Sequence, residues 1–399
     1  MKVLCVFTQY NYGDPKRGVS IEYASFLPAI QSLGHEVRHL ETWDPEQHPT
    51  YASLNRGLLA LADEWLPDLI FTVQRDYELW IETLGLLAAK GIALATWITD
   101  DSFKFNHYSR FIGNYYDGVG TTYDYRLQDY KNAGIPNAMY TQWAANEEWL
   151  NAPRAANECK YQITFIGTQY GERAAQIDRL RKAGFDITCF GYGWPAGPVD
   201  TDAIPRIMRD SVISLNFSSG FRSDGVHSRQ LKARTFEVPG AGGFLLSEHA
   251  PSIEQFYRVG AEIDVFDGEA DLEAKLAFYL SQPGLRNTMA QAAYERTRKE
   301  HLYRFRIRDL FDFALENRTS RMAAAAAGGM RQQQQLVERP LRSVERCLRA
   351  FLRVACACIW GKQRAAKAAR RLTFEASVRL LGARTFTANS LPGRLFPYL

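Results

Sequence analysis

QLKARTFEVPGAGGFLLS, residues 230–247, runs a helix-forming segment through a Pro-Gly turn directly into a short apolar strand. A helix that delivers the chain straight into an apolar strand is half of a βαβ unit. Such units build parallel sheets with both faces covered. Arg234 and Glu237 stand three residues apart, so they share one face of that helix at the mouth of the strand. Two charges in such a place either receive a ligand or form a solvated pair worth a few tenths of a kcal/mol.

The same alternation extends in both directions. Upstream lie YQITFIGT (161–168), the helical ERAAQIDRLRKAG, the strand DITCFGYGW, a helix around Ile204–Arg209 and the strand SVISLNFS. Downstream come SIEQFY, AEIDVF, DLEAKLAFYLSQ and a long terminal helix. The first half repeats the scheme: KVLCVFT, a loop QYNYGDPKRG, and SIEYASFLPAIQSLGHEV with Ile21, Phe26, Leu27, Ile30 and Leu33 at helical spacing. Ser20 reads as its N-cap and Gly34 as its stop. EVRHLE, PDLIFTV (67–73), a helix ending near Lys90, IALATWITD (92–100), DGVGTT (117–122), YDYRLQDYKNAG and AMYTQWAA complete the pattern. The fold class is therefore α/β, with two Rossmann-like domains over residues 1–150 and 158–318 and the crevice between them as the default ligand position.

Composition agrees. The 399 residues are 46% hydrophobic and 23% charged, ordinary globular usage for two domains. The six cysteines form no CxxC pair, and Cys5 and Cys189 sit in apolar strand-like runs, which points to a reducing, cytoplasmic setting. No stretch reaches the roughly 20 apolar residues that span a bilayer. The net charge of +4 conceals an asymmetry: residues 331–399 carry +11 and the first 330 carry −7. An Ala, Gly and Gln linker at 319–335 separates the two, and residues 336–399 form a basic helical C-terminal extension. In it Val337, Leu341, Val344, Leu348, Phe351, Ala355 and Ile359 recur at helical spacing with arginines on the other faces. That pattern suits a peripheral position on an anionic membrane surface, an acidic partner protein, or the −7 body itself, and it does not suit nucleic acid.

The series FIGTQYGER, CFGYGW, SVISLNFS, ARTFEVPGAGGFLLSE, PSIEQFY and HLYRFRIRDLF resembles the CgeB-like, glycosyltransferase group 1 type of GT-B enzyme over about 161–316. The first half is similar more loosely, with WITDD (97–101) as its landmark. The resemblance implies a transferase that moves a sugar from a UDP- or GDP-linked donor to a hydroxyl of a glycan, lipid-linked or protein acceptor, with no cofactor and no metal. It implies that Glu237 accepts both ribose hydroxyls and that Arg234, Lys232 and Arg173 meet the diphosphate. Gly167, Gly13 and Gly243 would let backbone approach the donor. Asp101, ahead of Asp100, would serve as general base for the acceptor, unless Asp101 or Ser102 only caps the following helix. His107 is a weaker candidate. Where a second glutamate often stands, eight positions before Glu237, this chain has Arg229, which leaves the stereochemical outcome open.

Competing readings are thinner. VDTDA (199–203) has the DxD spacing of a metal-held diphosphate but lies in a Pro/Gly-rich loop. Glu41 ends the second strand, yet the first loop lacks GxGxxG, so NAD chemistry has little support. No GxSxG frames a nucleophile. The alternative of another class is a catalytically silent GT-B-like scaffold that binds nucleotide or glycan and recruits a partner through its basic tail.

Overall fold

The computed structural model describes residues 1–75, 77–220, 229–318 and 341–397, so the linker expected at 319–335 and Val337 of the tail lie outside the described residues. Two compact units emerge. The first comprises Met1–Tyr23, Ile30–Thr141 and Arg308–Leu399, and the second Ala24–Ala29 and Gln142–Ile307.

In the first unit, β1 (Lys2–Val6), β2 (Glu36–Leu40), β3 (Leu69–Thr72), β4 (Ala93–Ile98), β5 (Gly118–Thr121) and β6 (Ala138–Tyr140) form one sheet, ordered β2-β1-β3-β4-β5-β6. Every pairing is parallel. Strands β3 and β4 are buried at every residue, which is why LIFT and ALATWI read as continuous apolar runs rather than alternating ones. Helices α1 (Leu27–Ser32), α2 (Tyr51–Trp65), α3 (Ile81–Ala89), the short α4 (Asp101–Lys104) and α5 (Arg110–Ile112), and α6 (Arg126–Asn132) fall between the strands. Ser20 caps as its position suggested: its hydroxyl accepts from the Tyr23 amide at 3.1 Å and donates to the Thr8 carbonyl at 2.6 Å. Gly34 closes the same segment at a φ of 77°.

The second unit carries β7 (Tyr161–Ile166), β8 (Ile187–Phe190), β9 (Ser211–Asn216), β10 (Leu245–Glu248) and β11 (Asp264–Phe266), ordered β11-β10-β9-β7-β8 and again parallel. Its helices are α7 (Arg173–Lys182), α8 (Ile204–Arg209), α9 (Arg234–Gly240), α10 (Glu269–Ser281) and α11 (Pro283–Glu300). Both sheets share one topology: the first strand lies between the second and the third. The chain therefore changes winding direction beside β1 and β3 in one unit, and beside β7 and β9 in the other. At such a switch point the loops leaving the strand ends diverge and open a crevice.

The boundaries differ from those expected. The first break falls at Thr141–Gln142 rather than at 150, and the second inside α12 (Tyr303–Asn317), whose residues from Arg308 onward rejoin the first unit. Glycine in DGVGTT explains the return. A Cβ on Gly118 would lie 2.8 Å from Ala314 Cβ, and one on Gly120 3.3 Å from Leu310 Cδ2, so bare β5 is what admits the helix. Phe311 then packs edge-on against Phe71, ring centres 5.4 Å apart.

The basic tail is likewise part of the first unit rather than a separate domain. It forms α13 (Ser343–Trp360), α14 (Lys362–Leu381) and α15 (Leu391–Leu395). Phe374, Val378 and Phe386 enter the same apolar core as Leu54, Tyr77 and Tyr108. Phe374 stacks on Tyr77 with ring centres 5.1 Å apart. The buried Glu82 carboxylate accepts the Ala388 amide at 3.2 Å, and the Tyr51 amide donates to the Pro397 carbonyl at 3.0 Å. Burial raises the Glu82 pKa. Among the described residues, no helix is long and apolar enough to cross a membrane.

Candidate functional site

Helix α9 follows β9 and starts where the Lys232 carbonyl accepts the Thr235 amide at 2.9 Å. On one side Phe236 is buried against Phe256, Tyr257 and His301, with ring centres 5.2, 5.9 and 5.6 Å away. That anchor fixes the rotation of the helix and turns Arg234 and Glu237 to another side.

Arg234 is held at the switch point. Its Nε donates to Asn216 Oδ1 at 3.2 Å, at the end of β9. Its guanidinium lies 5.5 Å from the Phe165 ring centre, on β7. Gly167, the first residue after β7, makes room: a Cβ there would be 3.1 Å from Arg234 Nη1. Among the described residues, neither terminal nitrogen of Arg234 has an acceptor. Burial and the nearby Arg173 charge bring its pKa down to about 10, with Glu237 pulling the other way.

Glu237 is 9% exposed and forms no hydrogen bond or ion pair with any described residue. Burial raises its pKa to about 7, with Arg234 opposing the shift. The helix thus presents a desolvated carboxyl and a guanidinium that sense each other without closing into a salt bridge. Burial makes the ionised carboxylate costly, and with no described donor its oxygens are open to a ligand. A ligand that brings hydroxyl donors and an anionic group would satisfy both side chains.

Arg173 has a different task from the one expected. It is 3% exposed, donates to the Thr168 carbonyl at 3.0 Å and the Tyr170 hydroxyl at 2.8 Å, and reaches the Ser219 carbonyl at 3.5 Å. Its guanidinium stacks 3.8 Å from the Tyr170 ring centre. These contacts commit it to bracing the loop after β7 against the one after β9. Lys232 is half-buried on the turn entering α9.

The glycine run also serves packing. A Cβ on Gly242 would fall 2.4 Å from the Asn151 carbonyl oxygen, one on Gly243 2.6 Å from that of Met208, and one on Gly240 2.7 Å from Ala145 Cβ. Their missing side chains admit neighbouring groups of the same unit: backbone at Gly242 and Gly243, the Ala145 methyl at Gly240. At Gly242 φ is +82° as well, so Gly242→Ala combines a clash with left-handed strain. The expected cost is about 2–4 kcal/mol, read as a lowered denaturation midpoint.

Asp101 is fully buried and accepts from Ser109 Oγ at 2.6 Å, Thr121 Oγ1 at 2.8 Å and the Tyr130 hydroxyl at 2.7 Å. Burial raises its pKa, against those three bonds and the Arg126 charge. Three donors on two oxygens tie α4, β5 and α6 together and leave no access for an acceptor. The preference for Asp101 over Asp100 is therefore reversed. Asp100 is exposed at the carboxyl end of β4, with φ at 58°. It occupies the N-cap of α4 without a side-chain capping bond, so neither Asp101 nor Ser102 is the cap.

Gly13 belongs to the first unit, where its φ of +69° and bare Cα admit the Trp43 carbonyl; a Cβ would be 2.7 Å from that oxygen. Glu41 accepts the Trp43 amide at 2.8 Å and also the Gln9 amide, so its carboxylate pins the first loop and is not available to a ribose. His107 Nδ1 lies 3.3 Å from Glu375 of α14. Arg229 pairs with Asp267 at 2.7 Å and with Glu248 at 3.4 Å. VDTDA forms a short turn, Thr201–Ala203, ahead of α8.

Three contributors escaped the sequence reading. Asn216 fixes Arg234, Tyr170 carries Arg173, and Glu248 accepts from the Ser218 amide and hydroxyl at 2.8 and 2.9 Å. Asn216 and Glu248 are polar residues at the carboxyl ends of apolar strands, which is the signal that could have found them.

A family model described as glycosyl transferase-like matches residues 173–312, about a third of the chain, including α9 and the strands on either side of it. No curated protein matches the chain by sequence. The fold is that of the GT-B glycosyltransferases. It is similar to Anabaena HepE in complex with UDP-glucose, at 11% identity over 78% of this chain and 98% of that one, with a TM-score of 0.52. A Rickettsia africae glycosyltransferase aligns at 14% identity over 79% and 98%, TM-score 0.51. Sucrose-phosphate synthase from Thermosynechococcus elongatus aligns at 10% identity over 82% and 100%, TM-score 0.50. The chain covers 58% of the length of TarM, with a TM-score of 0.47.

Proposed function

We propose that the chain is a glycosyltransferase that takes a sugar from a nucleoside diphosphate donor and places it on a hydroxyl of a glycan, lipid-linked or protein acceptor. The observation that carries this reading is Glu237: a buried carboxyl without a partner among the described residues, beside an arginine whose terminal nitrogens have no described acceptor, at a switch point of a GT-B fold. In this reading Glu237 accepts the two ribose hydroxyls. Arg234 meets the diphosphate and stabilises its growing charge as the bond from sugar carbon to phosphate oxygen breaks. Asp100 takes the proton of the acceptor hydroxyl. The chemistry needs no metal in this scheme, because the guanidinium supplies the positive charge. The run RTFEVPGAGGFLL supports placing the chain with the CgeB-like branch, and the UDP-glucose bound by Anabaena HepE makes UDP the first nucleotide to try.

The test is a thermal shift with UDP and GDP. One of them should raise the midpoint of the wild type and leave Glu237→Ala unmoved. No shift with either would remove the donor assignment, and binding without turnover of any nucleotide sugar would favour the silent scaffold.

A further inference from the structure

The docked tail leaves one surface unaccounted for. Helix α13 packs through Leu352 and the buried Cys356, in a small cluster with Ala365, Ala369, Leu395 and Phe396. Its other apolar residues face outward: Val344 is 78% exposed, Phe351 67%, Val354 63% and Ile359 68%. At 100° per residue these fall on one broad arc, next to the seam that packs. Arg346, Arg349 and Arg353 occupy the opposite arc. The helix has a single acidic residue, Glu345, and Arg394 neutralises it at 2.6 Å.

We infer that α13 is an interfacial helix that seats this chain on an anionic lipid surface, with Val344, Phe351, Val354 and Ile359 entering the boundary of headgroups and acyl chains. The choice of occupant follows from charge. The 69 residues from 331 onward carry +11, so a second copy packed tail to tail would bring two such surfaces together. An anionic membrane supplies both the apolar phase for the exposed arc and the counter-charge for the basic tail that carries it. The folded tail makes the arrangement usable, because Phe374, Val378 and Phe386 fix α14 in the core while α13 packs on α14 through Cys356 and keeps its apolar arc exposed.

The experiment is co-sedimentation of the full chain with phosphatidylcholine vesicles, with and without phosphatidylglycerol. Binding should require phosphatidylglycerol, weaken as salt is raised, and fall at least tenfold in Phe351→Asp. Both Phe351 and Val354 are exposed, so Phe351→Asp and Val354→Asp should keep the wild-type circular dichroism and denaturation midpoint. Binding that both variants retain in full would reduce the effect to surface charge and overturn the proposal. So would an absence of vesicle binding together with a dimer in solution that Phe351→Asp dissociates, since the arc would then be an interface between copies. Neither outcome depends on glycosyl transfer.

Discussion

Glu237→Gln should make the free protein more stable at pH 8, by up to about 3 kcal/mol, while it abolishes nucleotide-sugar binding. The sign follows from the direction of the shift. Glu237 titrates at about 7 in the folded chain against an ordinary 4.5, so the unfolded chain loses this proton first. The resulting penalty on the native state is absent below the lower value, grows between the two, and is complete above about 7. Glutamine mimics the protonated form and escapes it. Urea titrations of both proteins at pH 4 and pH 8 should therefore nearly coincide at the lower pH and separate at the higher. Ligand binding should run the opposite way. In the proposed role, ribose hydroxyls would donate to the ionised carboxylate and favour it, so the affinity for a nucleotide sugar should rise from pH 6 to pH 8 in the wild type. A nucleotide sugar is the right probe because its diphosphate has no group that titrates in this range. A variant that gains no stability at pH 8 would mean that Glu237 already has a partner in the free protein.

The second large effect separates two adjacent aspartates. Asp101→Ala strands the hydroxyls of Ser109, Thr121 and Tyr130 in the core and should cost about 3 kcal/mol or more, seen as a lowered denaturation midpoint. Asp100→Asn keeps a residue type that tolerates a φ of 58° and removes only the charge. Its stability should stay within about 0.5 kcal/mol of wild type, while turnover falls by about 100-fold or more if Asp100 is the base. Full activity in Asp100→Asn would assign the proton transfer elsewhere.

Strand by strand, the fold was largely legible. LIFT, ALATWI, ITCF and SVISLN are buried or nearly so at most positions, and a chain that must cover both faces of a sheet has to write its strands as apolar runs. The helical spacing, the Ser20 cap and the Gly34 stop are local, and they appear in the structure where the residues place them. Of the site, the pairing of Arg234 with Glu237 on one helix face was legible for the same reason. What each does there was not. Arg173 and Asp101 looked as available as Arg234 and Asp100, because residue type says nothing about which neighbours consume a side chain. Tyr170 and Ser219 claim the first; Ser109, Thr121 and Tyr130 claim the second. Gly243 of the PGAGG turn misled likewise: a missing Cβ admits ligand or backbone equally, and here the Met208 backbone fills the space.

The amino-acid sequence alone determined the two parallel α/β sheets, the helix that carries Glu237, and the separation of a basic tail from an acidic body, since periodicity and charge are properties of neighbours along the chain. Only the tertiary structure decided where the units divide, that the tail folds into the first of them, and which of several charged residues are left without a described partner. Those outcomes rest on contacts between distant segments, such as the Glu82 carboxylate on the Ala388 amide 306 residues away, and no local pattern encodes which partner arrives.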